Sequence, residues 1–228
     1  MKDQRTAQKS FEKAEETFNG RNIQSWLKTA EPADVEMTMD AGAEARFMRG
    51  ESIFREAMAV QLYNENINPR NMDKYLTTQI NKKLALVKEA QPIYMDVINR
   101  FASPRWGLAS LVRLGMLNHD IATQIEKAPV PKQLTEEQAL IYEDILLDFA
   151  GKFEDEAIQY YVFAVQKAAE TGWFSEYTTE AQKRLFDLRP LEYRSASEIK
   201  AQPNKAVITW QKSKLYHGYD ELRGKVVR

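Results

Sequence analysis

The chain contains no cysteine and has few glycines and prolines. Without cysteine it cannot form disulfides, use a thiol nucleophile or bind zinc through thiolates. Nine glycines and eight prolines among 228 residues fall below the ~12% combined share of average proteins. This composition excludes collagen-like and low-complexity classes. The scarcity of turn-forming residues favours long helices.

A dominant charge and long apolar runs are also missing. The 32 basic and 33 acidic residues leave a formal net charge of −1, so no overall field attracts nucleic acid or an anionic membrane. No run approaches the ~18 apolar residues of a transmembrane helix, and the polar start lacks the apolar stretch of a signal peptide. At 43% hydrophobic residues, the chain can still bury the core of one or two domains.

Apolar residues recur at three- and four-residue spacing through most of the chain, which predicts a series of helices. One later segment, 206–210, is β-branched and aromatic and is typical of a strand. It lies within a basic segment, 205–228, that holds six basic and two acidic residues. The predicted helices span 7–18, 33–64, 72–101, 104–126, 136–149, 153–170 and 175–188.

Local signals predict where these helices begin, end or bend. Ser103 followed by Pro104 is typical of an N-cap and a first helical residue. Thr135 and Gln138 have the spacing of a capping box. We expect Pro92 to kink or briefly break its helix, and Gly151 with Lys152 to form a loop between two helices.

A small–aromatic–small pattern recurs in these helices and resembles the second helix of tetratricopeptide repeats. The pattern lets two antiparallel helices approach closely while a ring fills the gap between them. It is complete at Ala157, Tyr161 and Ala164. Partial copies occur elsewhere, and a Leu-Gly pair resembles one in the first helix of such repeats. These further residues are Ala14 and Phe18; Ala90, Tyr94 and Val97; and Leu114 and Gly115.

Residues 90–193 also resemble the C-terminal part of tetratricopeptide proteins from bacterial gliding-motility and cell-envelope machinery. The resemblance implies an envelope scaffold without enzymatic activity, located in the periplasm if the sequence is a fragment that lacks its signal, and otherwise in the cytoplasm. The matching stretches are Trp106 through Leu114-Gly115, Ala128-Pro129-Val130-Pro131, Leu134 through Glu137, Tyr142, Ala157 through Tyr161, Ala168, and Tyr177 through Leu185, Leu188, Pro190 and Tyr193.

Groups suited to catalysis are sparse. His119 and Asp120 are sequence neighbours, but adjacent residues on a helix do not face each other, and two ligands are too few for zinc. Paired carboxylates such as Glu136 and Glu137 fit the favourable charge at a helix start. No nucleophile or phosphate-loop motif is present. We therefore expect no enzymatic activity, no cofactor and no metal.

Candidate binding residues occur on one predicted helix and in the basic segment. The helix over 104–126 is expected to group polar residues on the face opposite its small residues. The basic segment alternates rings with positive charge, a mixture that also binds single-stranded nucleic acid, although we favour docking on the array or pairing with a partner strand. The candidate partner-binding residues are Arg105, Arg113, Asn118, His119, Trp210 and Tyr216.

Together these patterns predict an all-α protein. Residues 1–200 are expected to form a superhelical, tetratricopeptide-like array of antiparallel helix hairpins, with 201–228 as an extended or loosely docked arm. The expected function is a scaffold that binds proteins or peptides of a bacterial envelope or motility assembly, with neither nucleic acid nor a membrane span. The alternative is a helical module that binds a small ligand or cell-wall fragment between its helices.

Overall fold

A computed structural model describes residues 2–63, 71–131 and 134–193. Over these residues the chain is helical, which confirms the all-α class, and contains no strand. The predicted strand at 206–210 and the arm at 201–228 lie outside the described residues. The helices are α1 (Lys2–Asn19), α2 (Arg21–Trp26), α3 (Pro32–Ala59), α4 (Met72–Arg100), α5 (Pro104–Glu126), α6 (Glu136–Thr171) and α7 (Glu176–Leu188).

Helices α5 and α6 begin at the capping residues that the sequence predicts. The Ser103 hydroxyl accepts a hydrogen bond from the Trp106 amide at the start of α5. Thr135 and Gln138 form a reciprocal capping box at the start of α6. Gly172 ends α6 in the left-handed conformation, with φ at 67°, which glycine adopts without a steric penalty.

Two predicted helix interruptions, a loop at Gly151 and a break at Pro92, are not found. Gly151 and Lys152 do not form a loop, because α6 runs unbroken through them for 36 residues. A single helical glycine costs only about 1 kcal/mol, and burial of Ala150 and packing of Phe153 on either side offset that cost. Pro92 likewise does not break α4, which continues to Arg100.

Most helices pack against the next helix in the chain: α1 with α2, α3 with α4, α4 with α5, α5 with α6, and α6 with α7. Three further contacts join helices that are not consecutive: α1 with α3, α3 with α5, and α5 with α7. Helix α5 is central and contributes the largest share of buried residues. One core cluster includes Phe47, Tyr94 and Trp106, with the Phe47 ring centroid 5.5 Å from Tyr94 and 5.1 Å from Trp106.

Two close helix contacts repeat the same arrangement. A Cβ added at Gly50 on α3 would lie 2.9 Å from the Tyr94 ring on α4. A Cβ added at Gly115 on α5 would lie 2.5 Å from the Tyr161 ring on α6. Both tyrosines belong to the small–aromatic–small pattern and both are fully buried. Each glycine therefore provides the space that a buried tyrosine of the next helix fills.

Candidate functional site

Arg113 is enclosed between helices, and its side chain is only 20% exposed. Its Nε donates to Glu51 Oε1 at 2.7 Å, and its Nη2 donates to Glu51 Oε2 at 3.0 Å. The guanidinium also stacks on aromatic rings, at 4.6 Å from the Phe54 centroid and 5.5 Å from the Tyr177 centroid. Arg113 thereby joins α5 to both α3 and α7.

The tyrosine of the first close contact completes this network. The Tyr94 hydroxyl donates to Glu51 Oε1 at 2.9 Å. Burial and then the negative charge of Glu51 raise the pKa of Tyr94, so the phenol stays protonated as a donor. Burial lowers the pKa of Arg113, but the hydrogen bonds and charge of Glu51 more than reverse this, and the net direction is upward. The network stabilises the fold as an internal ion pair.

Asn118 is buried, and its amide donates to the Leu114 carbonyl at 3.1 Å. His119 is half-buried, with its ring edge-on to Tyr161 and its Nδ1 3.4 Å from Arg184 Nη1. Burial and then the charge of Arg184 lower the pKa of His119. Of the four predicted residues on α5, Arg105 is exposed, where it stacks on Trp106 at 4.6 Å.

The expectation that these four residues share one exposed face is therefore wrong. At 3.6 residues per turn, Arg113 and Asn118 point about 140° apart around the helix axis. Arg113 contacts α3 and α7, whereas Asn118 is buried and donates to the Leu114 carbonyl of its own helix. The other two candidates, Trp210 and Tyr216, lie outside the described residues.

A second internal polar cluster joins α3, α4 and α5. The buried Lys83 ammonium donates to the Val60 carbonyl at 2.8 Å and pairs with Asp120. Gln124 donates to the same carbonyl at 3.2 Å and to Asp120 at 3.0 Å, and accepts from the Leu62 amide at 2.8 Å. The cluster caps the end of α3, where the backbone would otherwise leave polar groups unpaired.

In the described part of the chain, no group of three or more histidine, aspartate or glutamate side chains is placed to hold a metal ion. None of the helices described has the length and apolar character needed to cross a membrane.

An open apolar cavity of about 500 Å³ lies where the end of α4, the start of α5 and the last part of α6 meet. Phe163 stands at its edge with 52% of its surface exposed, and Lys167 is at the rim. Gly107 forms part of the wall, and a Cβ added there would meet no atom within 4 Å. The remaining lining includes Ile98, Phe101, Ser103, Pro104, Leu108, Leu111 and Thr171.

A second surface lies on the first half of α6. Its apolar side chains follow helical periodicity, which predicts a packed stripe, yet they are between 38% and 64% exposed. The opposite side, with Leu146 and Phe153, packs on a core cluster that includes Leu62 and Ile121. We call the exposed residues the α6 face: Leu140, Ile141, Ile145, Leu147 and Phe149.

Sequence reasoning missed both surfaces. For the cavity, the available signal is Gly107, a helical glycine that no turn or cap explains. For the α6 face, the sequence signal is its charge. Five acidic residues and no basic one lie among the apolar residues of 134–151, a composition that is not typical of a core helix. Whether these apolar side chains are exposed depends on whether another helix packs on them, which the sequence pattern does not show.

Comparison with known proteins gives no match to this chain among protein-family models, curated proteins or solved structures.

Proposed function

We propose that this protein is an interaction module that binds a segment of a partner protein in the cavity between α4, α5 and α6. The observation that carries the proposal is the exposed ring of Phe163 beside an open apolar cavity. Buried aromatic anchors and the pockets they fill contribute most of the binding energy at protein interfaces. An apolar side chain of the partner would enter the cavity, with Phe163 covering it.

The rim of the cavity favours a partner segment with a polar or acidic group beside its apolar anchor. Lys167 lies at the rim and also pairs with Glu170 at 2.6 Å, both side chains being mostly exposed. Thr171 and Ser103 contribute to the same wall. A polar rim around an apolar centre is the usual arrangement of an interface that forms and dissociates.

We further propose that the helices form a tetratricopeptide-like array of hairpins. The contacts of α3 with α4 and of α5 with α6 support two hairpins, and the contacts of α3 with α5 and of α5 with α7 support their stacking as repeats. The Gly50–Tyr94 and Gly115–Tyr161 contacts support equivalence of the two hairpins. Arrays of this kind present extended surfaces to peptides.

The proposed setting is a bacterial envelope or gliding-motility assembly, in which the protein acts as a scaffold without catalysis. This part of the proposal rests on the resemblance of residues 90–193 alone. The compartment follows the same resemblance, periplasmic for a fragment that has lost its signal and cytoplasmic otherwise.

A small ligand is the alternative occupant of the cavity. Its volume of about 500 Å³ falls within the ~300–1,000 Å³ typical of small-molecule sites. Native mass spectrometry of the purified chain distinguishes the two occupants. A bound small ligand would add its mass to that of the chain, and a partner's peptide segment would not be present.

Gly107→Leu tests the cavity as the binding site. Gly107 lines the cavity, and a Cβ added there meets nothing within 4 Å, so we expect the backbone to accept leucine and the side chain to fill part of the cavity. We expect partner capture by the immobilised chain to fall by about tenfold or more, as a blocked hot-spot pocket loses at least ~1.4 kcal/mol. Captured protein is quantified by mass spectrometry.

Gly151→Leu is the matched control, because Gly151 is also a helical glycine with nothing within 4 Å of an added Cβ. Capture should persist in this variant. Equal capture by the Gly107 and Gly151 variants would contradict binding in the cavity.

A further inference from the structure

The α6 face combines exposed apolar side chains with a single sign of charge. Over 134–151 the chain has five acidic residues and no basic one. All five carboxylates are exposed, at Glu136, Glu137, Glu143, Asp144 and Asp148. An apolar patch of this kind marks an interaction site, and its acidic surroundings select a basic and apolar occupant.

The C-terminal segment of the same chain has the complementary composition. Residues 205–228 hold six basic residues against two acidic ones, and their apolar residues include Trp210, Leu215 and Tyr216. This segment is basic in a chain whose formal net charge is −1. Its attachment to the chain places it permanently at high effective concentration near the α6 face.

Residues 194–204 are long enough for the basic segment 205–228 to reach the α6 face. Tyr193, the last described residue, lies against Val162 and Val165 on α6 and Leu185 on α7. From Val165 back to Leu140 along α6 is about 38 Å at 1.5 Å per residue. Residues 194–204 can span about 36 Å when extended, so the basic segment that follows reaches the α6 face.

We propose that residues 205–228 dock on the α6 face of the same molecule. Apolar side chains of the segment cover Ile141, Ile145 and their neighbours, and its lysines and arginines pair with the surrounding carboxylates. The docked segment occupies a surface separate from the cavity proposed to bind a partner. Docking therefore stands or falls independently of the proposed function.

Zero-length carbodiimide crosslinking of the full chain tests this contact, because it joins only lysine and carboxylate groups that are paired. An equal mixture of ¹⁴N- and ¹⁵N-labelled chains separates links within one molecule from links between two. We expect Lys212 and Lys214 to link within one molecule to Glu143, Asp144 or Asp148. The exposed Glu12 and Glu16 on α1 serve as internal controls and should remain unlinked to them.

Substitution of the apolar residues tests docking without removing any crosslinkable group. Ile141→Ser combined with Ile145→Ser changes two exposed side chains, and we expect it to reduce the link yield by about tenfold through lost apolar burial. Met37→Ser, at an equally exposed apolar residue on α3, should leave the yield unchanged. Links only between differently labelled chains, equal links to Glu12, or a yield indifferent to the isoleucine change would each overturn the proposal.

Discussion

At the scale of single residues, Arg113 illustrates how a charged side chain becomes structural. Helical periodicity places it on a polar face, but the neighbouring helices surround its guanidinium with one carboxylate and two rings. A charge in that position is stabilised only while its partner remains. Reversing Arg113 to glutamate would therefore face two carboxylates toward each other and unfold the region, rather than report on partner binding.

Removal of Glu51 alone should lower the free energy of unfolding more than removal of both Glu51 and Arg113. Glu51→Leu leaves the Arg113 guanidinium and the Tyr94 hydroxyl without their acceptor. We expect a loss of about 3 kcal/mol in the free energy of unfolding, the low end for a broken buried pair, because the Arg113 side chain is 20% exposed. Glu51→Leu with Arg113→Met should recover at least half of this loss, as measured by urea denaturation. A double variant less stable than Glu51→Leu alone would contradict the internal role.

His119 should make stability depend on pH. Its pKa is lowered by burial and by Arg184, so the unfolded chain binds a proton more readily than the folded one. Stability therefore decreases as the pH falls below the ordinary histidine pKa of about 6.5. The melting temperature of the wild type should drop between pH 7.5 and 5.5, and His119→Gln should reduce that drop. An identical drop in both proteins would contradict the assigned burial.

At the scale of helices, the five glycines in α3, α5 and α6 separate into two kinds. Gly42, Gly50 and Gly115 lie against buried aromatic rings, whereas Gly107 and Gly151 face open space. The first kind sets the distance between neighbouring helices. The second kind lowers helix propensity without allowing any close contact.

Alanine substitution should therefore have opposite effects at the two kinds of glycine. We expect Gly107→Ala and Gly151→Ala to stabilise the protein by about 0.5–1 kcal/mol, and Gly115→Ala to destabilise it by about 1–3 kcal/mol through overpacking. Thermal unfolding measures the difference. Tyr161→Leu should partly rescue Gly115→Ala, and an equal effect of the three alanine substitutions would count against the close contacts.

The ends of the helices could be predicted from the sequence better than their continuity. Ser103, Thr135 and the residues around Gly172 act through hydrogen bonds and backbone preferences that are local to the chain. The passage of α6 through Gly151 depends on packing of Ala150 and Phe153 against distant residues. Pro92 is tolerated for a related reason, since tertiary packing of α4 outweighs one lost hydrogen bond.

The exposed apolar surfaces were harder to predict than the core. The small–aromatic–small pattern correctly identified Tyr94 and Tyr161 as buried, because burial of a ring between close helices follows from residue size. The same periodicity in α6 indicated a packed stripe at Ile141 and Ile145, which is exposed instead. Periodicity shows that one side of a helix is apolar, but not whether another helix covers it.

At the scale of the whole molecule, the described helices pack around three hydrophobic clusters and leave apolar surfaces open, among them the cavity beside Phe163 and the α6 face. The cavity is proposed to receive a partner protein, and the α6 face is proposed to receive the basic C-terminal segment. The overall charge of −1 is the sum of an acidic helical part and this basic segment, and that division motivates the proposed docking.

Photo-crosslinking through position 163 tests the central claim most directly. Phe163 is replaced by a photoreactive phenylalanine analogue, which its exposure at the cavity edge permits. After irradiation in cells, the account predicts a covalent adduct with one protein, absent when Gly107→Leu is added and present when Gly151→Leu is added. An adduct that persists with Gly107→Leu, or its complete absence at position 163, would contradict partner binding in the cavity.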